Sequence, residues 1–445
     1  MNCPKGHFKK RRNGRAKAWP ENASQGGFPG AGKSDPIRSN PAGSSHFKTF
    51  FILSNFKPAP AETRNRQLRP VQSAIFYFAC STNHGGNRNW RLVKRGALVY
   101  LADMKAVQLI AHGAPGILQF RDVPDPVPGP NQVIVRVRAC GLNRLDLWLE
   151  EGGLPISLGL PRIPGGEVSG EILALGKDVS GWREGERVAV QSNLFCGKCE
   201  FCKDGKESIC LNSELLGIQR DGGFAERVAV PATALVRLPE KVDFTTAAAL
   251  TLAGSTAMHM LTYRTQVRAG DWVLAMVGTS GVGSAAIQIA KQLGAHVIST
   301  GSTEAKRRFA AGLGADHVVD ITQADWPAEV RKITQKHGVD VVVEHVGGEV
   351  LQQCFSCLAR AGTIVTCGAT SGREVALKLW PFFVKEQKLI GSYGRNRKDI
   401  VATLDWAAAG KIKPVIYKVY PLSETREAFT ALRQRTVMGK AVIGV

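Results

Sequence analysis

The sequence predicts an α/β chain built from a β-rich domain with a metal-binding lobe and a doubly wound parallel sheet covered by helices on both faces. Three observations predict it. Four cysteines, Cys196, Cys199, Cys202 and Cys210, fall within one short stretch. Short alternating strands broken by Gly and Pro run from Met104 to about Leu238. From about Thr245, continuous apolar runs alternate with segments of helical period, the rhythm of a parallel sheet with crossover helices.

Residues 1–103 are read as a basic, disordered leader. Pro, Gly, Ser, Asn and Arg dominate, and Phe50–Leu53 and Ile75–Phe78 are too short and isolated to build a core. The segment holds 18 Lys and Arg against four acids, so it carries +14 of the formal net charge of +21. It reads as an anion-binding tail, as an Arg-rich targeting peptide, or as upstream sequence before a true start at Met104, the reading we favour. The other 342 residues carry only +7, so nucleic acid is not an expected partner. No stretch approaches the ~20 apolar residues that span a bilayer, so no membrane is expected either.

Val133, Val135 and Val137 alternate with Ile134, Arg136 and Arg138, which makes one face of a strand apolar. Another strand is expected near Glu226–Val230. The cysteines read Cys196-Gly-Lys-Cys199-Glu-Phe-Cys202, with Cys210 after a gap of seven residues. Two-residue gaps let thiolates converge on one tetrahedral ion, so the spacing points to one structural Zn²⁺. Four sulfurs would fill its coordination sphere, leaving it no chemistry to perform. The other six cysteines are scattered and show no disulfide framework. Together with a thiolate site they point to a reducing, cytoplasmic setting.

Trp272–Val277 runs straight into Gly278-Thr-Ser280-Gly281-Val282-Gly283, and Ser284–Leu293 has helical period. Strand, glycine turn and helix start are the context in which a helix N-terminus receives a pyrophosphate. Gly278 permits the tight turn and Gly283 the close packing of helix on strand. Strands follow at Val297–Thr300, Val318–Asp320, Val339–Val343 and Thr363–Cys367, and a helix at Arg397–Ala409. An NAD site places an acid after the second strand. That place holds Gly301, followed by Ser302, Thr303 and Lys306. Hydroxyls and an ammonium suit a 2′-phosphate, so NADP(H) is favoured over NAD(H). His345 is read as a solvated histidine, and Cys354 and Cys357 as packing residues on a helix.

These features together resemble the medium-chain dehydrogenase/reductase superfamily: zinc-type alcohol dehydrogenases and their quinone-oxidoreductase relatives. Gly141-Leu-Asn143-Arg-Leu-Asp146, Pro164-Gly-Gly-Glu167-Val-Ser-Gly170, Gly185-Glu-Arg-Val188 and Asp221-Gly-Gly-Phe-Ala-Glu226 carry the likeness. The resemblance covers 104–445. It implies a GroES-like catalytic domain over 104–250 with a zinc lobe at about 191–215. It further implies a Rossmann domain over 251–390, a return to the catalytic domain over 391–445, and a homodimer or tetramer.

The family's second, catalytic zinc is held at places that are Asn143, Gly166 and Leu252 here. None of the three is a usable ligand. Without that metal, alcohol oxidation loses its main electrostatic support. Hydride delivery to a quinone or an α,β-unsaturated carbonyl asks less, because the substrate's own carbonyl spreads the charge. The expectation is therefore an NADPH-dependent quinone or enone reductase. Asn143, Asp146 and Thr256 would line the cleft, and Val346, Gly347, Gly368 and Ala369 would meet the cofactor at two strand ends. Leu154–Leu160 and Trp380–Phe383 would add an apolar pocket wall. The alternatives are a zinc-type alcohol dehydrogenase and a non-catalytic, crystallin-like NADPH-binding regulator.

Overall fold

The computed structural model describes residues 77–82, 88–93, 103–156 and 158–445. Most of what the sequence suggests for 1–103 lies outside them. Within that segment, β1 (Tyr77–Thr82) and β2 (Arg88–Val93) pair as a two-stranded sheet. Then β3 (Asp103–Ala111) and β4 (Ile117–Pro124) form an antiparallel pair.

The alternation in β5 (Gln132–Gly141) organises the first large sheet. Val133, Val135 and Val137 are buried in the core, and Arg136 and Arg138 face solvent. The β5 strand pairs antiparallel with β6 (Glu167–Leu175), which pairs with β7 (Arg187–Val190). The small strands β8 (Asn193–Leu194) and β9 (Glu214–Leu215) pair with each other and bracket the cysteine loop. β10 (Arg227–Pro231) pairs with β5, and β11 (Leu235–Arg237) with β7.

The second sheet is fully parallel. Its strands are β12 (Trp272–Ala275), β13 (His296–Gly301), β14 (His317–Asp320), β15 (Val339–Glu344), β16 (Leu358–Thr366) and β17 (Lys388–Gly391). Their spatial order is β14-β13-β12-β15-β16-β17, the doubly wound arrangement whose switch point falls between β12 and β15. Both faces are covered, so successive residues point into different cores. Val273 and Ala275 join one cluster, and Leu274 and Met276 join the other with Trp326, Leu351 and Cys354. This is the α/β class the sequence predicts. Finally β18 (Ile416–Pro421) and β19 (Lys440–Gly444) pair in parallel, and β19 docks on β5 of the first sheet.

The helices are α1 (Arg144–Glu151), α2 (Glu200–Lys203), α3 (Phe244–Leu250), α4 (Ala253–Met258), α5 (Gly281–Gln292) and α6 (Glu304–Gly312). They are followed by α7 (Trp326–Ile333), α8 (Gly348–Cys357), α9 (Leu379–Val384), α10 (Arg397–Ala408) and α11 (Thr425–Arg433). Helix α5 starts three residues before the expected Ser284. The reason is local: Ser280 Oγ accepts from Gly283 N at 2.8 Å, so the glycine loop itself supplies the cap and first turn. No helix among the described residues is long and apolar enough to cross a membrane.

Phe224, in the loop before β10, meets Phe429 of α11 edge to face, with ring centroids 5.9 Å apart. Both are fully buried, so this contact fastens the C-terminal return to the first core. Replacing Phe429 by Ala is expected to cost about 3–5 kcal/mol, read as a lower urea midpoint.

Candidate active site

Three segments of distant sequence meet at one buried carboxylate, Glu167 at the start of β6. Its Oε1 accepts from Leu252 N at 2.6 Å and Ala253 N at 3.1 Å, at the start of α4. Its Oε2 accepts from Asn143 Nδ2 at 2.9 Å and from Lys440 Nζ at 2.7 Å. Lys440 is itself buried and donates also to Asn143 Oδ1 at 2.8 Å and Leu142 O at 2.9 Å. Its three donors and the carboxylate's acceptors are thus all spent within this network. Arg395 lies buried nearby with its guanidinium on Ser192 Oγ, and burial lowers its pKa to about 10.

Asn143 caps the start of α1, and its amide belongs wholly to this network. Asp146 was expected to line the cleft. It is buried, and both oxygens go to backbone amides: Oδ2 accepts from Asn143 N at 2.8 Å, and Oδ1 from Gly165 N at 3.2 Å. It therefore holds Asn143 and the Gly165–Gly166 turn in place. Burial pushes its carboxyl up to about 7, against the pull of the Asn143 amide and Lys440. Thr256 is likewise buried, and its hydroxyl donates to Leu252 O at 2.7 Å within α4.

The places that would hold a second zinc do not fit one. The Asn143 amide is spent, Gly166 has no side chain, and Leu252 offers only a backbone N–H that Glu167 already accepts. Among the described residues one cluster has the donors for a metal: Cys196, Cys199, Cys202 and Cys210, whose Sγ atoms lie within 4.8 Å of one another. Neighbouring Sγ separations of 3.5, 3.8 and 4.0 Å match the ~3.8 Å edge of a tetrahedron with Zn–S bonds of about 2.3 Å. Backbone N–H groups of Cys196 and Cys199 point at sulfurs of the set, as thiolates require. The amides of Lys198 and Cys199 hold the Cys196 thiol down at about 6.

The nucleotide loop follows β12. A Cβ at Gly278 would come within 2.5 Å of Ser299 Oγ, and one at Gly283 within 2.3 Å of Val277 O, so both positions demand glycine. Val277 adopts φ 49°, a strained setting for a β-branched residue. A Cβ at Gly281 would meet Lys440 Cδ at 2.7 Å, so the stem of Lys440 packs under the loop. Val282 follows in the first turn of α5.

His345 is not the solvated residue the sequence suggests. It is half-buried, with Nε2 3.1 Å from both Ser280 Oγ and Met276 O, and burial lowers its pKa. Val346 and Gly347 give their amides to the buried Glu344, at 2.5 and 2.7 Å. Gly368 and Ala369 pack against His345 and Gly347, so the ends of β15 and β16 converge beside the loop. Ser302 and Thr303 are exposed just past Gly301. Thr303 caps α6 by accepting from Lys306 N at 3.3 Å, and Lys306 is half-buried.

The apolar wall is only partly formed. Leu154, Leu158 and Leu160 pack on the first core, but Leu379, Trp380 and Phe383 are 55–73% exposed. Cys354 and Cys357 are buried packing residues whose thiols burial pushes up. Sequence reasoning missed Lys440, Glu344 and Arg395. The one sequence signal for Lys440 is a charge inside an apolar terminal run, Gly439-Lys440-Ala-Val-Ile.

Residues 129–240 match the alcohol dehydrogenase GroES-like domain, and residues 281–409 match the zinc-binding dehydrogenase domain. The chain belongs to the zinc-binding, medium-chain alcohol dehydrogenase family, and it is an oxidoreductase of that type. It is 33% identical over 356 residues to an NAD-dependent alcohol dehydrogenase of Sulfolobus acidocaldarius, covering 77% of this chain and all of the relative. A crystal structure of an NAD-dependent alcohol dehydrogenase is 39% identical, with a TM-score of 0.74, over 77% of this chain and all of that one. A zinc-binding dehydrogenase of Sinorhizobium meliloti solved with NADP is 28% identical, with a TM-score of 0.68, over the same shares.

Two outcomes are expected. Lys440→Met leaves Glu167 buried without its cation and is expected to lower stability by about 3–5 kcal/mol in urea melts, with part recovered by adding Glu167→Gln. Asp146 binds its proton more tightly folded than unfolded, where its pKa is near 3.8. Its contribution to stability is therefore complete below about pH 4 and is lost as pH rises through about 7. Asp146→Asn is expected to flatten the slope of stability against pH across that window, measured by urea melts at several pH values.

Proposed function

We propose that this chain is an NADPH-dependent reductase of quinones or α,β-unsaturated carbonyls, with no metal at the reacting atoms. The network of Asn143, Glu167 and Lys440 carries the reading, because it occupies with its own hydrogen bonds the places a second zinc would need. The bound dinucleotide supplies the hydride. The residues of the chain bind and orient it. Gly278, Ser280, Gly281, Val282 and Gly283 offer the helix N-terminus to the pyrophosphate. Ser302, Thr303 and Lys306 would hold the adenosine ribose end. Val346, Gly347, Gly368 and Ala369 form the ledge beside the switch point. Asn143 and Thr256 shape the cleft, and Asp146 acts beneath them as a positioning residue. An enolate or quinol oxygen needs hydrogen-bond donors and not a Lewis acid, and solvent supplies the proton.

Cys196, Cys199, Cys202 and Cys210 would hold one structural Zn²⁺ that braces the lobe. The NADP found with the Sinorhizobium relative supports the coenzyme choice. The open edge of β17 and the exposed side chains of α9 support association of the chain into a dimer or tetramer. The thiolate set suits a reducing, cytoplasmic setting. A second reading, oxidation of alcohols with NAD⁺, is favoured by the relatives called NAD-dependent alcohol dehydrogenase.

The test joins metal analysis to a substrate screen. One zinc per chain is expected, lost on Cys199→Ser, together with oxidation of NADPH by quinones or enones at least about tenfold faster than by aldehydes. Alcohol or aldehyde turnover that rises with a second equivalent of metal would establish the second reading instead.

A further inference from the structure

We infer that Arg395 is the specificity-determining residue of the cleft and takes a carboxylate carried by the substrate. The reductase reading above then narrows to α,β-unsaturated carbonyls that bear an acid group, and the enone half of this inference rests on that reading.

Arg395 stands between the coenzyme side and the first sheet. It follows the end of β17 at Gly391, and Ser392 N donates to Thr366 O at 2.8 Å, which ties its loop to the end of β16. One residue further on, Asn396 caps α10, and its Oδ1 accepts from Ser208 N at 3.0 Å. Arg395 is thus held between two fixed points at the carboxyl ends of the parallel strands, where such sheets bind ligands. Its guanidinium crosses to the first sheet and donates through Nη2 to Ser192 Oγ. A Cβ added at Gly166 would lie 3.5 Å from Ser192 Cβ. Ser192 therefore bridges the guanidinium and one of the places where a second zinc would be held.

The guanidinium is a buried charge without a counter-ion of its own. Arg395 is 3% exposed, and burial lowers its pKa to about 10, which still leaves it charged at neutral pH. Glu167 and Asp399 act on it from a distance, and both are committed elsewhere. Lys440 Nζ is 2.7 Å from Glu167. His259 Nδ1 is 2.6 Å from Asp399 Oδ2, which also accepts from Asn396 N at 2.8 Å. Among the described residues, Ser192 Oγ is the one acceptor that Arg395 has, and its Nε is buried with none. Ser392 Oγ, in the same loop, is buried without a partner too. Buried charges and buried donors are normally paired. Orphaned donors at this point call for an anionic acceptor that arrives with the ligand.

Charge selects the kind of anion. One guanidinium is uncompensated, so the single charge of a carboxylate balances it, whereas a phosphate monoester would bring nearly two. The planar fork also matches a carboxylate with two parallel hydrogen bonds. Lys440 adds no further positive charge to the balance, because its donors are spent on Glu167, Asn143 and Leu142.

The test compares an acid with its own ester on the full-length, zinc-loaded chain. Calorimetric titration with levulinate and with methyl levulinate, at saturating NADP⁺, needs no turnover. Levulinate is expected to bind at least about tenfold tighter than the ester. Arg395→Gln should erase that ratio by weakening levulinate about 10- to 100-fold, and Arg395→Lys should restore part of it. The charge removed is uncompensated, so Arg395→Gln should hold or raise the thermal midpoint, whereas loss of a mere brace would lower it. The matching enones, β-acetylacrylate and its methyl ester, should show the same Arg395-dependent ratio in KM. If the wild-type chain binds levulinate no tighter than the ester, the inference is overturned. It is equally overturned if Arg395→Gln lowers the midpoint and leaves the ratio intact. If levulinate binding depends on Arg395 but neither enone is reduced, the reductase reading fails and the carboxylate site stands.

Discussion

The ion pair between Glu167 and Lys440 is the constraint on which the rest of the cleft depends. Taking two opposite charges out of water carries a large desolvation cost, which is tolerable only when both are fully hydrogen-bonded. Here the carboxylate has four donors, and the ammonium has three acceptors. Satisfying both requires the start of β6, the start of α1, the start of α4 and the first residue of β19 to be in register at once. The pair thus fixes geometry more than it adds stability. It also decides the electrostatics of the cleft, since the positive charge near Asn143 is a covalently tethered ammonium.

The side chain that carries that ammonium also reaches the coenzyme side. The stem of Lys440 lies under Gly281, so the glycine loop rests on the same residue that closes the network. On the other flank, Ser280 faces His345, whose strand end is held by Glu344 through the amides of Val346 and Gly347. The loop is therefore clasped between the two halves of the doubly wound sheet at its switch point. The strained residue, Val277, sits at the start of that loop.

Local patterns in the sequence foretold the fold. The valine alternation of β5 and the apolar runs around β12 and β15 depend only on which face is buried. The four cysteines could be read from spacing, because a metal site demands particular atoms at short range. The charged network could not be read this way. Glu167 and Lys440 are separated by 273 residues, and each looks ordinary among its neighbours. Asp146 shows the converse. Within the family-like run Gly141–Asp146 the acid looked like a cleft residue, but desolvation and two backbone amides made it a brace. His345 looked solvated because the side chain that shields it, Ser280, comes from another strand's loop.

The position of Lys440 has a consequence for how the molecule comes into being. Synthesis proceeds from the N-terminus, and domains begin to fold as they emerge. The first sheet can start to pair early, yet its β19 partner arrives only after the whole parallel sheet has been made. Until then Glu167 lacks the ammonium that donates to it, and the cleft cannot close its hydrogen-bond network. Maturation of the cleft is therefore a late, all-at-once event on the ribosome's timetable, triggered by the last strand sliding home.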